Sequence, residues 1–175
     1  WVLPSPNIPT PETALVYPGV VLLEATNISE GRGTTRPFEI LGAPWIDPEA
    51  LAERLAARCG EGAVFRPLDF RPAFDKYAGE LCGGVQIHVT DRDSFNPVRC
   101  AALILGEIAG MYPGHFQWLP PPYEYERELM PVDILSGDSS LRETIDSGDG
   151  VEALFARWRG DEAAFERERE PWLFY

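Results

Sequence analysis

An α+β fold in a single domain, a small mixed or antiparallel sheet packed by about four helices, is predicted by three features of this sequence. Val85-Gln-Ile-His-Val-Thr90 alternates β-branched and polar residues, the period of two expected of a strand with one buried face. Asp47-Pro48 and Asn96-Pro97 each set a capping side chain before a proline at the first helical position. From Val151 to Phe165 apolar residues recur at helical spacing, opposite a face of glutamates and arginines. The 175 residues amount to about one domain, and 45% apolar with 25% charged residues is the composition of a folded chain.

Taken in order, residues 1 to 19 hold Pro4, Pro6, Pro9 and Pro11, too close together for a helix or central strand, and read as an extended, semi-rigid arm. Leu15 to Leu23 is apolar around Pro18-Gly19 and fits a buried strand or a short helix beginning at Pro18, with the helix preferred. The helix opened by Asp47-Pro48 stacks Leu51 and Leu55 on one face and is expected to stop at Gly60. Val64 to Phe74 carries Pro67 and Pro72, which suits an edge strand. The helix opened by Asn96-Pro97 lines up Ala101, Leu105, Ile108 and Met111 until Pro113-Gly114 ends it, and is expected to be central to the core. Trp118 to Pro131 reads as an irregular surface crossing. Ser140-Leu-Arg-Glu143 and Asp149-Gly-Val-Glu152 have capping-box spacing and predict helices over 140 to 147 and 150 to 168. The apolar tail Pro171 to Tyr175 is expected to dock.

One stretch has no amphipathic period. Glu24-Ala-Thr-Asn-Ile-Ser-Glu-Gly-Arg-Gly-Thr-Thr-Arg-Pro-Phe-Glu39 gathers carboxylates, guanidiniums, hydroxyls, an amide and two glycines, and reads as an ordered loop outside the core with convergent polar groups. Such loops commonly carry function.

Charge excludes some partners. At a net −13 with no basic patch, the chain would repel a phosphate backbone, so nucleic acid is not expected. The apolar run Cys100 to Met111 is well short of the roughly twenty residues that span a bilayer. Cys59, Cys82 and Cys100 are odd in number and widely spaced, suggesting neither a disulfide framework nor zinc. With His88 and His115 the only histidines, no metal or other cofactor is expected, and His88 reads as a hydrogen-bonded structural residue. Asp91-Arg-Asp93 reads as a strand end rather than a calcium loop. No serine lies in a Gly-x-Ser-x-Gly context, and Gly31-Arg-Gly33 is too short to cradle phosphate, so esterase and nucleotide-binding readings fall away. The first residue is Trp1, with no leader pattern after it.

Several long motifs in one order carry a resemblance: Trp1-Val-Leu-Pro-Ser-Pro-Asn-Ile-Pro-Thr10, Thr13-Ala-Leu-Val-Tyr-Pro-Gly19, Ser29-Glu-Gly-Arg-Gly-Thr-Thr-Arg-Pro-Phe-Glu39, Gly42-Ala-Pro-Trp45, Lys76-Tyr-Ala-Gly-Glu-Leu-Cys-Gly-Gly-Val-Gln-Ile-His-Val-Thr90 and Pro120-Pro-Pro-Tyr-Glu-Tyr125. From end to end the chain resembles the C-terminal part of the NamZ-type exo-β-N-acetylmuramidases, glycoside hydrolase family 171, formerly a domain of unknown function. The resemblance implies that residues 1 to 175 form the smaller α+β domain of a two-domain protein whose N-terminal Rossmann-like domain lies outside this chain, with the active site in the cleft between them. It also implies release of N-acetylmuramic acid from the non-reducing end of peptidoglycan fragments, in an exported, periplasmic or secreted protein. Muramyl sugars and the Rossmann-like domain are then the expected partners. A non-catalytic muramyl-sugar-binding or protein-interaction module is the alternative.

Glycoside cleavage usually takes two carboxyl groups. Glu30, beside Gly31 and Gly33 that let the backbone take positive φ and aim side chains into a cleft, is the candidate catalytic acid, base or assistant, or else pairs with Arg32 or Arg36 to fix the loop. Glu24 is expected to orient Asn27 or the loop backbone. Arg32 and Arg36 suit the lactyl carboxylate of the sugar through two parallel hydrogen bonds, or an internal salt bridge. Asn27, Ser29, Thr34 and Thr35 are candidates for sugar hydroxyls or the acetamido group, and equally for turn stabilisation. Asn7 is a candidate cleft or turn residue. Lys76 and Tyr77, in the connection between two strands, are candidates to supply charge and a stacking ring, or to pack that loop. Trp118, Tyr123 and Tyr125 form either a sugar platform or a surface clamp.

Overall fold

A computed structural model describes residues 2–59 and 62–174. Three strands, β1 (Ile40–Ala43), β2 (Ala63–Phe70) and β3 (Cys82–Val89), form an antiparallel sheet in the order β1-β3-β2. The register sets Leu41 opposite Val85, Phe65 opposite Ile87 and Phe70 opposite Cys82. With a side-chain period of two, Leu41, Ala43, Ala63, Phe65, Val85 and Ile87 share one face and enter the main core. Ile40, Phe70 and Cys82 form a smaller cluster on the other face, and Tyr77 packs against both. The proline-bearing β2 is an edge strand, as the sequence predicts, and the alternating β3 is the central one.

Six α-helices occur among the described residues: α1 (Pro11–Val20), α2 (Pro48–Cys59), α3 (Pro97–Met111), α4 (Pro131–Ser136), α5 (Ser140–Ser147) and α6 (Glu152–Arg169). The fold is α+β as expected, with short α4 an addition to the elements read from sequence. Asp47 Oδ1 accepts from Ala50 N (2.9 Å) and Asn96 Oδ1 from Arg99 N (2.9 Å), so both expected caps form. Leu51, Leu55, Ala101, Leu105 and Ile108 are fully buried, which makes α3 the middle of the core. The expected stop at Gly60 lies outside the described residues.

Four expectations are corrected. The extended arm ends at Thr10, whose Oγ1 accepts from Thr13 N (3.2 Å) and caps α1; Pro11 stands at the start of that helix, where a missing N–H costs nothing, and Pro18 lies inside it. The helix therefore begins seven residues before the expected Pro18, and it continues as a 3₁₀ turn over Val21–Ala25. Neither capping box forms. Helix α5 starts after Ser139 with Asp138 Oδ1 accepting from Ser140 N (2.9 Å), and Asp149 accepts from Ser147 Oγ (2.8 Å) instead of capping α6. Helix α6 runs past the body: Val151 and Leu154 are buried, whereas every described residue from 159 onward is exposed. Phe165 is thus not part of a packed stripe, and Trp172, Leu173 and Phe174 of the tail do not dock.

The fourth correction concerns the polar loop, which is not outside the core. Ala25, Ile28 and Phe38 are completely or almost completely buried. Ser29 N donates to Gly42 O (2.8 Å) and Gly42 N to Ser29 O (3.0 Å), so the loop covers the free edge of β1.

Candidate functional site

Gly33 ties this loop to the connection between β2 and β3, while Gly31 lies close against the Ile40 carbonyl at the start of β1. Gly31 and Gly33 sit at φ 76° and 79°. A Cβ on Gly33 would lie 2.6 Å from the carbonyl oxygen of Phe74, and Ala73 N donates to Gly33 O at 2.8 Å. The connection in turn holds Asp75 and Tyr77 at φ 71° and 57°, a conformation L-residues seldom take. Between those two residues, Lys76 is turned back into the loop.

Lys76 Nζ donates to Leu23 O (2.9 Å), Ile28 O (3.0 Å) and Glu30 Oε2 (3.0 Å), three acceptors for its three N–H groups. Arg32 Nε donates to the other oxygen, Glu30 Oε1, at 2.9 Å. Arg32 Nη2 meets Glu24 Oε1, and Tyr123 OH donates to Glu24 Oε2 at 3.1 Å. Asp75 Oδ2 lies 3.9 Å from Arg32 Nε, and the guanidinium carbon stands 5.0 Å over the Phe38 ring. The result is an alternating chain of charge, Lys76–Glu30–Arg32–Glu24, closed by a tyrosine.

A recess of about 350 Å³ opens on this chain, lined by Glu24, Glu30, Arg32, Asp75, Lys76, Leu119 and Tyr123. Glu30 lies at its foot with 3% of its side chain exposed, whereas Glu24 exposes 18%. Three carboxylates against two cations leave the recess one negative charge in excess. Burial pulls the Arg32 pKa down, but the hydrogen bond it donates to Glu24 and the fields of Glu24, Glu30 and Asp75 outweigh it and raise the pKa above the ordinary value. Burial, followed by the Glu24 charge, pushes the Tyr123 hydroxyl up to about 12. Tyr123 is therefore a proton donor at neutral pH.

Of the candidates from sequence, Glu30, Arg32 and Lys76 meet in this recess. Tyr123 joins them, and the rest stand elsewhere. Arg36, 45% exposed, points to Glu39 Oε2 (3.5 Å). Glu39 itself is buried and accepts from Thr13 Oγ1 (2.7 Å). Asn27 uses its amide in place, with Nδ2 donating to His115 O (2.8 Å) and Oδ1 accepting from Gln117 N (2.9 Å). Ser29 Oγ accepts from Gly31 N (3.2 Å), and Thr34 Oγ1 donates to Gly31 O (2.7 Å). Thr35 is exposed beside them. Asn7 lies in a turn, its N–H donating to Ser5 Oγ (3.2 Å). Tyr77 is pinned by donation from its hydroxyl to Asn27 O (2.7 Å) and does not line the recess.

Among the aromatics, Tyr123 reaches the recess, Trp118 Nε1 donates to Asp146 Oδ1 (2.8 Å), and Tyr125 is fully exposed. His88 is exposed on β3, opposite Val64 on the sheet face away from the main core. No group of three or more metal-ligating side chains occurs among the described residues. Sequence reading missed Asp75 and Leu119 as lining residues and gave Glu24 only an orienting part. The adjacency of Asp75 to the sole lysine was the one available signal.

The chain matches the family model described as exo-β-N-acetylmuramidase NamZ, C-terminal, over residues 15–175. It belongs to that family. A peptidoglycan β-N-acetylmuramidase NamZ of Bacillus subtilis strain 168 is 41% identical over 175 residues, all of this chain and 40% of the relative. The crystal structure of a DUF1343 family protein from Bacteroides fragilis NCTC 9343 superposes with a TM-score of 0.84 at 28% identity, covering 100% of this chain and 45% of that one. A second DUF1343 protein from the same organism, at 22% identity and TM-score 0.63 over 98% of this chain and 43% of its own, shares the fold. The chain thus spans less than half the length of each of these proteins. No helix among the described residues is long and apolar enough to cross a membrane.

Proposed function

We propose that this chain forms one wall of the sugar cleft of an exo-acting β-N-acetylmuramidase, which releases N-acetylmuramic acid from the non-reducing end of peptidoglycan fragments. An N-terminal Rossmann-like domain supplies the opposite wall and the remaining catalytic groups, and the protein works outside the cytoplasm. The observation that supports this reading is the recess itself, in which three carboxylates, two cations and a protonated phenol converge from segments far apart in sequence.

The hydrogen bonds divide the work between the two glutamates. Both oxygens of Glu30 accept from N–H donors, so this carboxyl is an ionised acceptor with no proton for a leaving oxygen. Its part is electrostatic: it sets negative charge beneath a transition state that develops oxocarbenium character. Glu24 is the more exposed carboxylate, oriented by Tyr123, and is the group available to accept from a sugar hydroxyl or an attacking water. Arg32 spends Nε on Glu30 and Nη2 on Glu24, which leaves Nη1 for the lactyl carboxylate.

The test is hydrolysis of a chromogenic N-acetylmuramide by the longer polypeptide that includes this chain. Glu24→Gln and Glu30→Gln are expected to lower kcat/KM about 100-fold or more, and Arg32→Ala to raise KM. Unchanged kinetics in all three would remove the loop from the site. The engagement of Glu24 and Glu30 in ion pairs also favours a second reading, a muramyl-sugar-binding module without catalytic groups of its own. In that case calorimetry with N-acetylmuramic acid gives heat of binding while Glu24→Gln and Glu30→Gln leave the rate of the longer protein unaltered.

A further inference from the structure

Asp75 is the third carboxylate of the recess and the most open, with 43% of its side chain exposed against 18% for Glu24 and 3% for Glu30. Each oxygen of the two glutamates already accepts a hydrogen bond, Glu30 from Lys76 and Arg32, Glu24 from Arg32 and Tyr123. Asp75 differs. Its Oδ1 accepts from the neighbouring Lys76 N (2.9 Å), whereas its Oδ2 has no donor among the described residues; Arg32 Nε stands 3.9 Å away, beyond hydrogen-bond distance.

The backbone holds this spare acceptor in place. At φ 71° Asp75 sits in the left-handed region, which a non-glycine residue keeps only where its surroundings impose it. Here they do so from both sides. Ala73 N donates to Gly33 O (2.8 Å), while Ala78 N donates to Asp75 O (3.2 Å) and Gly79 N to Pro72 O (2.8 Å), closing the connection around the residue.

An exo-acting glycosidase has to tell a terminal sugar from an internal one. In a β-1,4 glycan the 4-oxygen of the terminal residue carries a hydrogen, whereas that of an internal residue is tied into a glycosidic bond and has none to donate. A carboxylate accepts and does not donate, so it favours the free hydroxyl and is left unpaired against the linked oxygen. We infer that Asp75 accepts a hydrogen bond from the 4-hydroxyl of the non-reducing terminal N-acetylmuramic acid and thereby restricts hydrolysis to chain ends. The inference rests on the muramidase reading and adds to it the residue that reads the end. Asp75 is thus a specificity-determining residue and takes no part in breaking the bond.

The test pairs the residue with the hydroxyl. The longer polypeptide that includes this chain is assayed on a chromogenic N-acetylmuramide and its 4-deoxy and 6-deoxy analogues, as wild type, Asp75→Ala and Asp75→Asn. The wild type is expected to lose about 10- to 100-fold in kcat/KM on the 4-deoxy compound, the size of one hydrogen bond to a charged group. Asp75→Ala is expected to lose as much on the parent compound and nothing further on the 4-deoxy one, while its 6-deoxy to parent ratio matches that of the wild type. Asp75→Asn tolerates positive φ and keeps an accepting oxygen, so its 4-deoxy loss is expected to fall between the two. That ratio compares substrates on one preparation and is blind to the fraction folded, so the asparagine variant decides the matter even where alanine does not fold. Asp75→Ala as active as the wild type, or a 4-deoxy loss in either variant as large as in the wild type, would overturn the inference and leave the muramidase reading intact. Absence of turnover of the parent compound by the wild type would instead remove that reading, and this assignment with it.

Discussion

Lys76 Nζ stands 3.0 Å from Glu30 Oε2 across 46 residues of sequence, and the same ammonium closes on the carbonyl oxygens of Leu23 and Ile28. One side chain thus fastens the strand connection, the 3₁₀ turn and the polar loop together. Lys76→Met would leave the buried Glu30 with Arg32 alone and the Ile28 carbonyl without this donor, while the Leu23 carbonyl keeps Thr26 N and Oγ1. The expected loss is about 3 kcal/mol of unfolding free energy in urea titrations. Lys76→Arg is expected to recover little of it, because a planar fork does not converge on three acceptors as an ammonium does.

Gly33 is the second tether between the same segments. At φ 79° and with the backbone of Ala73 and Phe74 within 2.9 Å of a would-be Cβ, Gly33→Ala both strains the turn and forces the connection outward. Destabilisation of at least about 2 kcal/mol is expected, along with faster amide exchange at Ala73. An alanine variant as stable as the wild type would show that the tether is dispensable.

Tyr123 gives the recess a signature in alkali. Its hydroxyl is held protonated up to about 12 against the ordinary tyrosine value of 10.0, mainly by burial and then by the Glu24 charge. A group raised on folding contributes stability that is present below its unfolded pKa and lost as pH climbs through the folded one. The difference in unfolding free energy between wild type and Tyr123→Phe is therefore expected to be level below pH 10.0 and to fall between 10.0 and about 12. Ultraviolet phenolate titration of the two proteins isolates the late-titrating tyrosine.

On α6, Phe165→Ser is expected to change stability by less than about 0.5 kcal/mol, since the ring is 61% exposed. Leu105→Ala on α3, by contrast, removes a fully buried side chain and is expected to cost about 3 to 5 kcal/mol. Thermal denaturation of the two variants side by side checks the contrast.

Elements whose signal is local were legible in the sequence. Asp47, Asn96 and the 85 to 90 alternation each act within a few residues, and α2, α3 and β3 form where those signals stand. Where several local outcomes competed, tertiary context decided. Thr10 turned a proline-rich segment into a helix start, and Asp138 and Ser147 took the donors and acceptors that the two capping boxes needed. The polar loop was recognisable as a candidate site, but its depth was not, because Ile28 and Phe38 are isolated apolar residues without a period. Glu30, Arg32 and Lys76 were visible as reactive types. Their assembly rests on Lys76 meeting Glu30 across 46 residues, and Tyr123 meets Glu24 beside them across 99, pairings that no spacing rule contains.

Apart from a chain terminus, the sequence holds a single primary amine, and that amine is locked at the foot of the recess. Reductive methylation with isotope-labelled formaldehyde would consequently place one resonance inside the protein at that spot. Its rate of appearance would gauge how often the floor loosens, and its chemical shift would respond to whatever molecule comes to rest above it.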